Sequence, residues 1–221
     1  MPPILTIDTD HPHQIPGALA AGGFPTGRDR PPLSSFIPRS SDPVFLALYP
    51  PKRTAYQINR LAWDLRDQHQ LRGRPLEEER IHTTLCSLGR YADLRPGAIT
   101  AIGDALAIIT MPPFLLGLNR VISFSHKGKH PLILHGDEGV AGVMMLRDEL
   151  VTTMRKAGFP IEAGSYTPHT TLLYDARSID DRSIDEIRWM VREVVLVCSL
   201  YGRHQHVTLG RWPLRAPDRL N

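Results

Sequence analysis

The chain has 221 residues and 26 Lys+Arg against 23 Asp+Glu, a formal charge of +3. Its two cysteines, Cys86 and Cys198, are too few for a disulfide-stapled scaffold or a thiolate-bound metal centre, and no run of about 18 apolar residues offers a membrane-spanning helix. With no charged-then-apolar leader at the start, the expectation is a cytoplasmic protein that needs no membrane, and the mild basic balance tolerates an anionic partner without a strongly basic stripe.

Nine of the 20 prolines fall in residues 1–43, interspersed with Gly17, Gly22, Gly23 and Gly27. A segment so poor in apolar periodicity cannot offset its ordering entropy by burial, so residues 1–42 read as a flexible arm. Its one candidate strand is Ile4–Ile7, and His11 and His13 in a polar tail read as solvated rather than metal-bound. Residues 43–221 read as a single domain. Val44–Tyr49 is an apolar run stopped by Pro50–Pro51, a buried strand. Ile58, Leu61, Ala62 and Leu65 at helical spacing predict an amphipathic helix over 54–69. Arg80–Leu88 reads as a strand. Ile99, Ile102, Leu106 and Ile109 mark a second helix, entered at Pro96 and ended before Pro112–Pro113. Leu116–Ser125 and Leu132–His135 read as strands around the basic turn His126–Pro131. A third helix carries Val143, Leu146, Leu150 and Met154, with Gly158 as its stop. Strands follow at Thr167–Tyr174, around Ile187–Tyr201 and at His206–Trp212, and Arg177 to Asp185 reads as a surface loop. Hairpin-like pairs interleaved with helices fit a mixed α+β domain better than a parallel doubly wound sheet.

One tetrapeptide occurs twice. His82-Thr83-Thr84-Leu85 and His169-Thr170-Thr171-Leu172 are identical, each in an extended, apolar-flanked segment with a helix upstream, which points to two related halves. On a strand, alternate side chains face opposite ways, so His82 with Thr84, and His169 with Thr171, project together while Leu85 and Leu172 anchor in a core. Two such strands facing each other present two imidazoles and two hydroxyls around one volume. That set suits phosphodiester chemistry. With an ordinary pKa of about 6.5, one imidazole can serve as neutral base and the other as protonated acid. The base activates water, the acid protonates the departing ribose oxygen, and Thr84 and Thr171 donate to the oxygens on which charge grows. A strained cyclic diester needs no metal or other cofactor for this. A single copy on a threonine-rich strand would carry no weight, since threonine simply favours strands; the repetition carries it.

The paired His-x-Thr-hydrophobic motif resembles the signature of the 2H phosphoesterase superfamily, in particular its bacterial 2′-5′ RNA ligase-like branch, the RNA 2′,3′-cyclic phosphodiesterases. The resemblance runs over residues 43–213, through Phe45-Leu46-Ala47 with Pro50–Pro51, the first motif extended to Leu88–Gly89, the helix ending in Ala157–Gly158, and Pro168 with the second motif. It implies a bilobal fold of two mainly antiparallel sheets with helices outside, pseudo-two-fold symmetry, and a central cleft lined by the motifs. It also implies hydrolysis of a 2′,3′-cyclic phosphate end to a 2′-phosphate without metal, some members joining RNA ends through a 2′-5′ bond instead; a monomer is expected. Where the family often has phenylalanine two residues after the first motif, this chain has Ser87.

Other residues are weaker candidates. Arg203 can reach a phosphate or lie idle on the surface. Tyr49, Phe124 and Tyr174 can stack a base, though Tyr49 and Phe124 also fit core positions. The basic turn His126–His130 suits backbone phosphates or is a plain hairpin tip. His204 and His206 share a strand face and lack a nameable third metal ligand. Cys86 falls on the same strand face as His82 and Thr84, as a small cleft-lining residue. Which histidine is base stays open, as do ligation as the main reaction and a module that binds RNA ends without chemistry.

Overall fold

The computed structural model describes residues 38–94, 96–125, 128–161 and 164–216. The arm through residue 37, with Ile4–Ile7, His11 and His13, lies outside the described residues, as do His126 and Lys127 of the basic turn.

Strand β1 (Pro43–Leu48) is buried from Val44 onward because both its faces are covered. Val44, Leu46 and Leu48 join the main core, while Phe45 and Ala47 form a smaller apolar cluster with Val195 and Val197, against which Tyr49 packs. Burial on both faces explains why the strand reads as a continuous apolar run rather than an alternating one. Helix α1 (Lys52–Gln68) follows the two prolines and buries Ala55, Ile58, Ala62 and Leu65. A 3₁₀ turn, Glu78–Arg80, then delivers the chain into β2 (Thr83–Arg90), so the strand expected from Arg80 starts later. Helix α2 (Ala98–Ala107) precedes β3 (Phe114–Ser123) and β4 (His130–His135). Helix α3 (Ala141–Lys156) buries Val143, Leu146, Leu150, Val151 and Met154, and ends at Gly158, whose φ of 86° is a left-handed conformation that suits glycine. Strand β5 (His169–Asp175) carries the second motif.

The expected loop from Arg177 to Asp185 is corrected: β6 (Arg182–Val191) begins inside it. β6 is an edge strand, and edges carry exposed charges such as Asp185, Glu186 and Arg188, which made it read as loop. The single strand expected around Ile187–Tyr201 is two, broken at Arg192, with β7 spanning Glu193–Leu200 before β8 (Gln205–Pro213).

All pairings among the described residues are antiparallel, in one sheet of order β6-β3-β4-β5-β2-β1-β7-β8. The α+β class therefore holds, but the two expected sheets are one continuous sheet. The join is slender: β2 and β5 meet at the single pair Thr83–Thr170. Outward from that pair, each half repeats one order, first the motif strand, then the strand that leads into its helix, then two more strands. Helices α1, α2 and α3 share one core with Leu85, Leu172 and the other side chains of one sheet face; the motif histidines stand on the opposite face, alongside the smaller apolar cluster.

Candidate functional site

Both motif strands carry the same irregularity at the same letter. On β2 the pairing with β1 runs Ala47–Thr84 and then Leu46–Cys86, so Leu85 is an extra residue. On β5 it runs Ile133–Thr171 and then Leu132–Leu173, so Leu172 is the extra residue. Each motif leucine is thus a β-bulge, which resets the alternation behind it. Ahead of the bulges, His82, Thr84, His169 and Thr171 are half-buried on the open face, while Leu85 and Leu172 are each 1% exposed. Behind the first bulge, Cys86 pairs with Leu46 and turns into the helix-side core, which corrects its expected place beside His82. Behind the second, Tyr174 returns to the face of His169, half-exposed, at the far end of β5.

The pairing of Thr83 with Thr170 sets the rest of the geometry. Carried one residue to either side, that register puts His82 opposite Thr171 and Thr84 opposite His169. The four side chains form a quadrilateral with imidazole and hydroxyl at alternate corners. Below them, Thr83 and Thr170 are fully buried with their hydroxyl oxygens 2.9 Å apart. Tyr166 Oη also donates to the Thr84 carbonyl at 2.6 Å, tying the approach to the second motif onto the first strand. The repeated second letter of the motif was the available signal for this hidden pair. Thr83→Val should cost about 2 kcal/mol, because it strands a buried hydroxyl, while Thr83→Val with Thr170→Val should recover much of that loss. Urea unfolding of the two singles and the double measures it.

Each histidine is oriented by the carbonyl two residues upstream. His82 Nδ1 donates to Arg80 O at 2.6 Å and His169 Nδ1 to Thr167 O at 2.7 Å, which leaves both Nε2 atoms free to meet a ligand. Their surroundings differ. His82 stacks near Phe45 (5.1 Å) and Tyr49 (5.7 Å), with His206 edge-on at 5.0 Å. Burial, reinforced by the Arg80 and His169 charges, lowers its pKa to about 4 despite the carbonyl bond. His169 meets Phe124 edge-on at 5.3 Å and pairs across strands with His135; burial and then His135 lower its pKa against the Thr167 carbonyl. Tyr49 and Phe124 therefore stand against one motif histidine each.

Two residues stand in the site in roles that the sequence did not suggest for them. His206 is three strands from β2 in the sheet order, which in a flat sheet is about 14 Å. Its ring nevertheless lies 5.0 Å from that of His82, because the first half curls until β8 rises over the open face. Tyr49 Oη is 2.8 Å from His206 Nδ1, and burial, with the charges of His82 and Arg80, lowers the His206 pKa to about 3. The second is Arg80, in the 3₁₀ turn two residues before His82, whose charge acts on His82, His206 and Tyr49. The expected cation, Arg203, lies instead on the exposed turn Tyr201–His204. His204 is in that turn with φ 54°, so it does not share a strand face with His206. Among the described residues no group of three or more His, Cys, Asp or Glu could hold a metal ion, and no helix is long and apolar enough to cross a membrane.

The sequence model of the 2′-5′ RNA ligase superfamily matches residues 50–203. Similar solved structures include one described only as a phosphoesterase, at 22% identity and TM-score 0.64, covering 79% of this chain and 99% of that one. Escherichia coli LigT complexed with 3′-AMP is 23% identical with TM-score 0.64, over 78% of this chain and 98% of that one. A Thermus thermophilus protein, TT0787, is 19% identical with TM-score 0.63, over 79% of this chain and 98% of that one. No curated protein matches in sequence. At these identities the structures share the fold.

Proposed function

This chain belongs to the 2′-5′ RNA ligase superfamily, and from that premise we propose that it opens 2′,3′-cyclic phosphates, at RNA ends or in small nucleotides, to 2′-phosphates. The observation that carries the reading is the quadrilateral of His82, Thr171, His169 and Thr84, each imidazole held through Nδ1 with no hydrogen bond to its Nε2 among the described residues. One neutral Nε2 takes a proton from water as its oxygen bonds to phosphorus. The other imidazole, protonated, gives its proton to O3′ as the P–O3′ bond breaks. Thr84 and Thr171 donate to the non-bridging oxygens. The product keeps the phosphate on O2′ and a free 3′ hydroxyl. With a 5′ hydroxyl attacking phosphorus in place of water, and O3′ leaving as before, the same pair would make the 2′-5′ bond that the family's name describes.

Burial holds both imidazoles below their ordinary pKa, so the free protein near pH 7 carries neutral His82 and His169. The acid must then gain its proton as the phosphate arrives, since an adjacent anion favours imidazolium. Titrating inorganic phosphate in buffers of different ionisation enthalpy should reveal proton uptake, with binding tightening as pH falls from about 8 to about 6. Incubation with a 2′,3′-cyclic mononucleotide in the presence of a chelator should yield the 2′-phosphate. Formation of the 3′-phosphate alone, or no product from folded protein, overturns the reading, and matched RNA ends scored for a 2′-5′ junction test the ligation.

A further inference from the structure

The reaction proposed above uses the inner corners of the cleft and leaves its two outer flanks unassigned. They are built unequally. Beside His169, Arg120 is tied to Asp181 at 2.8 Å and lies 3.9 Å from Asp137, and its Nη1 donates to the Ser183 hydroxyl at 3.3 Å. The neighbouring His135 Nε2 also approaches Asp181, at 3.5 Å. That guanidinium is spoken for.

Beside His82 the matching cation is not. Arg80 has no carboxylate partner among the described residues, its Nε is buried without a hydrogen-bond partner, and its Nη1 reaches only His204 Nδ1 at 3.4 Å. Tyr49 Oη and His206 Nδ1 share a hydrogen bond at 2.8 Å; with Tyr49 as its donor, His206 would carry its proton on Nε2, a neutral donor that needs no proton uptake to hold an anion. Arg80 also lies on the outer side of the reacting corners, since its Nη1 reaches His204 in the turn just before β8, the strand that carries His206. An unpaired guanidinium at the edge of a half-buried cleft focuses positive potential, and guanidinium binds phosphate through paired charge-assisted bonds.

Resting on that reaction, we propose that Arg80 and His206 form a second phosphate subsite, which takes the phosphodiester on the 5′ side of the terminal nucleotide. The RNA strand then leaves the cleft over β1, β7 and β8 rather than over β3 and β6. The substrate class is accordingly an RNA end in preference to a bare cyclic nucleoside phosphate.

The test is equilibrium binding by titration calorimetry, comparing adenosine 2′,5′-bisphosphate with adenosine 2′-monophosphate. The intact protein should bind the bisphosphate about tenfold more tightly, and high salt should erode that gain. Arg80→Gln should abolish the gain and His206→Gln should reduce it severalfold, while Arg120→Gln keeps it. Because each variant supplies its own ratio, partial loss of folded protein does not mimic the result. Equal affinities in the intact protein, a full gain in Arg80→Gln, or a gain lost in Arg120→Gln instead would each overturn the subsite. Binding needs no turnover, so a protein that prefers the bisphosphate but opens no cyclic phosphate supports the subsite and sinks the reaction.

Discussion

His169→Ala is expected to lower kcat on a 2′,3′-cyclic nucleotide by about 10²–10⁴-fold, and His82→Ala by a similar factor. The double variant should be little worse than either single, because acid and base serve one displacement and removing one already disables the pair. The folded state should survive, since both rings are half-buried on the open face and neither belongs to the main helix-side core. The measurement is steady-state turnover with circular dichroism alongside to show intact folding. Undiminished turnover by the double variant would eliminate the imidazole pair as the chemistry. The two singles should also differ in pH response, since His82 lies among Phe45, Tyr49 and His206 beside an arginine with no carboxylate partner among the described residues, and His169 beside His135.

The four corner residues were legible because they are a repeat, and repetition survives whatever the fold does in between. The three helices were legible because a helix writes its buried face into local spacing, as at Ile58, Ala62 and Leu65. His206 was not, because its role depends on curvature accumulated over three strands, which leaves no local pattern. Cys86 was misplaced for the opposite reason: the two-residue alternation was applied correctly, but the bulge at Leu85 shifts it by one. Strand β6 was missed because an edge strand keeps charges on its exposed side, and charge reads as loop. Arg80 was read only as the start of a strand, and nothing local shows that the three glutamates before it leave it without an ion pair among the described residues.

The second large effect is on stability. Asp175 closes β5, is 4% exposed, and accepts backbone N–H bonds from Arg72 and Gly73 at 2.5 Å each and from Arg177 at 2.8 Å. It pins the connection after α1, a first-half element, onto a second-half strand. Leu76 N donates to Leu172 O in the same connection at 2.8 Å. Asp175→Ala should therefore cost about 3 kcal/mol, because it strands several donors at once. Burial alone would raise the Asp175 pKa, but the N–H bonds from Arg177, Gly73, Arg72 and Ala176 outweigh it and hold the carboxyl below its ordinary 3.8. A depressed pKa contributes stability that is present above the ordinary value and is lost as pH falls through the folded one. The gap between intact protein and Asp175→Ala should then be full at neutral pH and narrow below 3.8. Urea midpoints followed by tryptophan fluorescence at several pH values would show it; a gap independent of pH would remove the carboxylate from the account.

The strand order also fixes a sequence of events during synthesis. The half built from β3, β4, β5 and β6 is contiguous, Phe114 to Val191, whereas the other half is divided, with β1 and β2 made before it and β7 and β8 after it. On the ribosome the contiguous half can finish first, while the divided one waits with Phe45 and Ala47 uncovered until Val195 and Val197 emerge. His206 arrives after every other residue of the site. A message truncated just past codon 200 would still encode both His-Thr-Thr-Leu copies, and would pass any search for them, yet its product would lack the strand that folds over His82. Completeness of the translated chain, more than presence of the repeat, decides whether the cleft is whole.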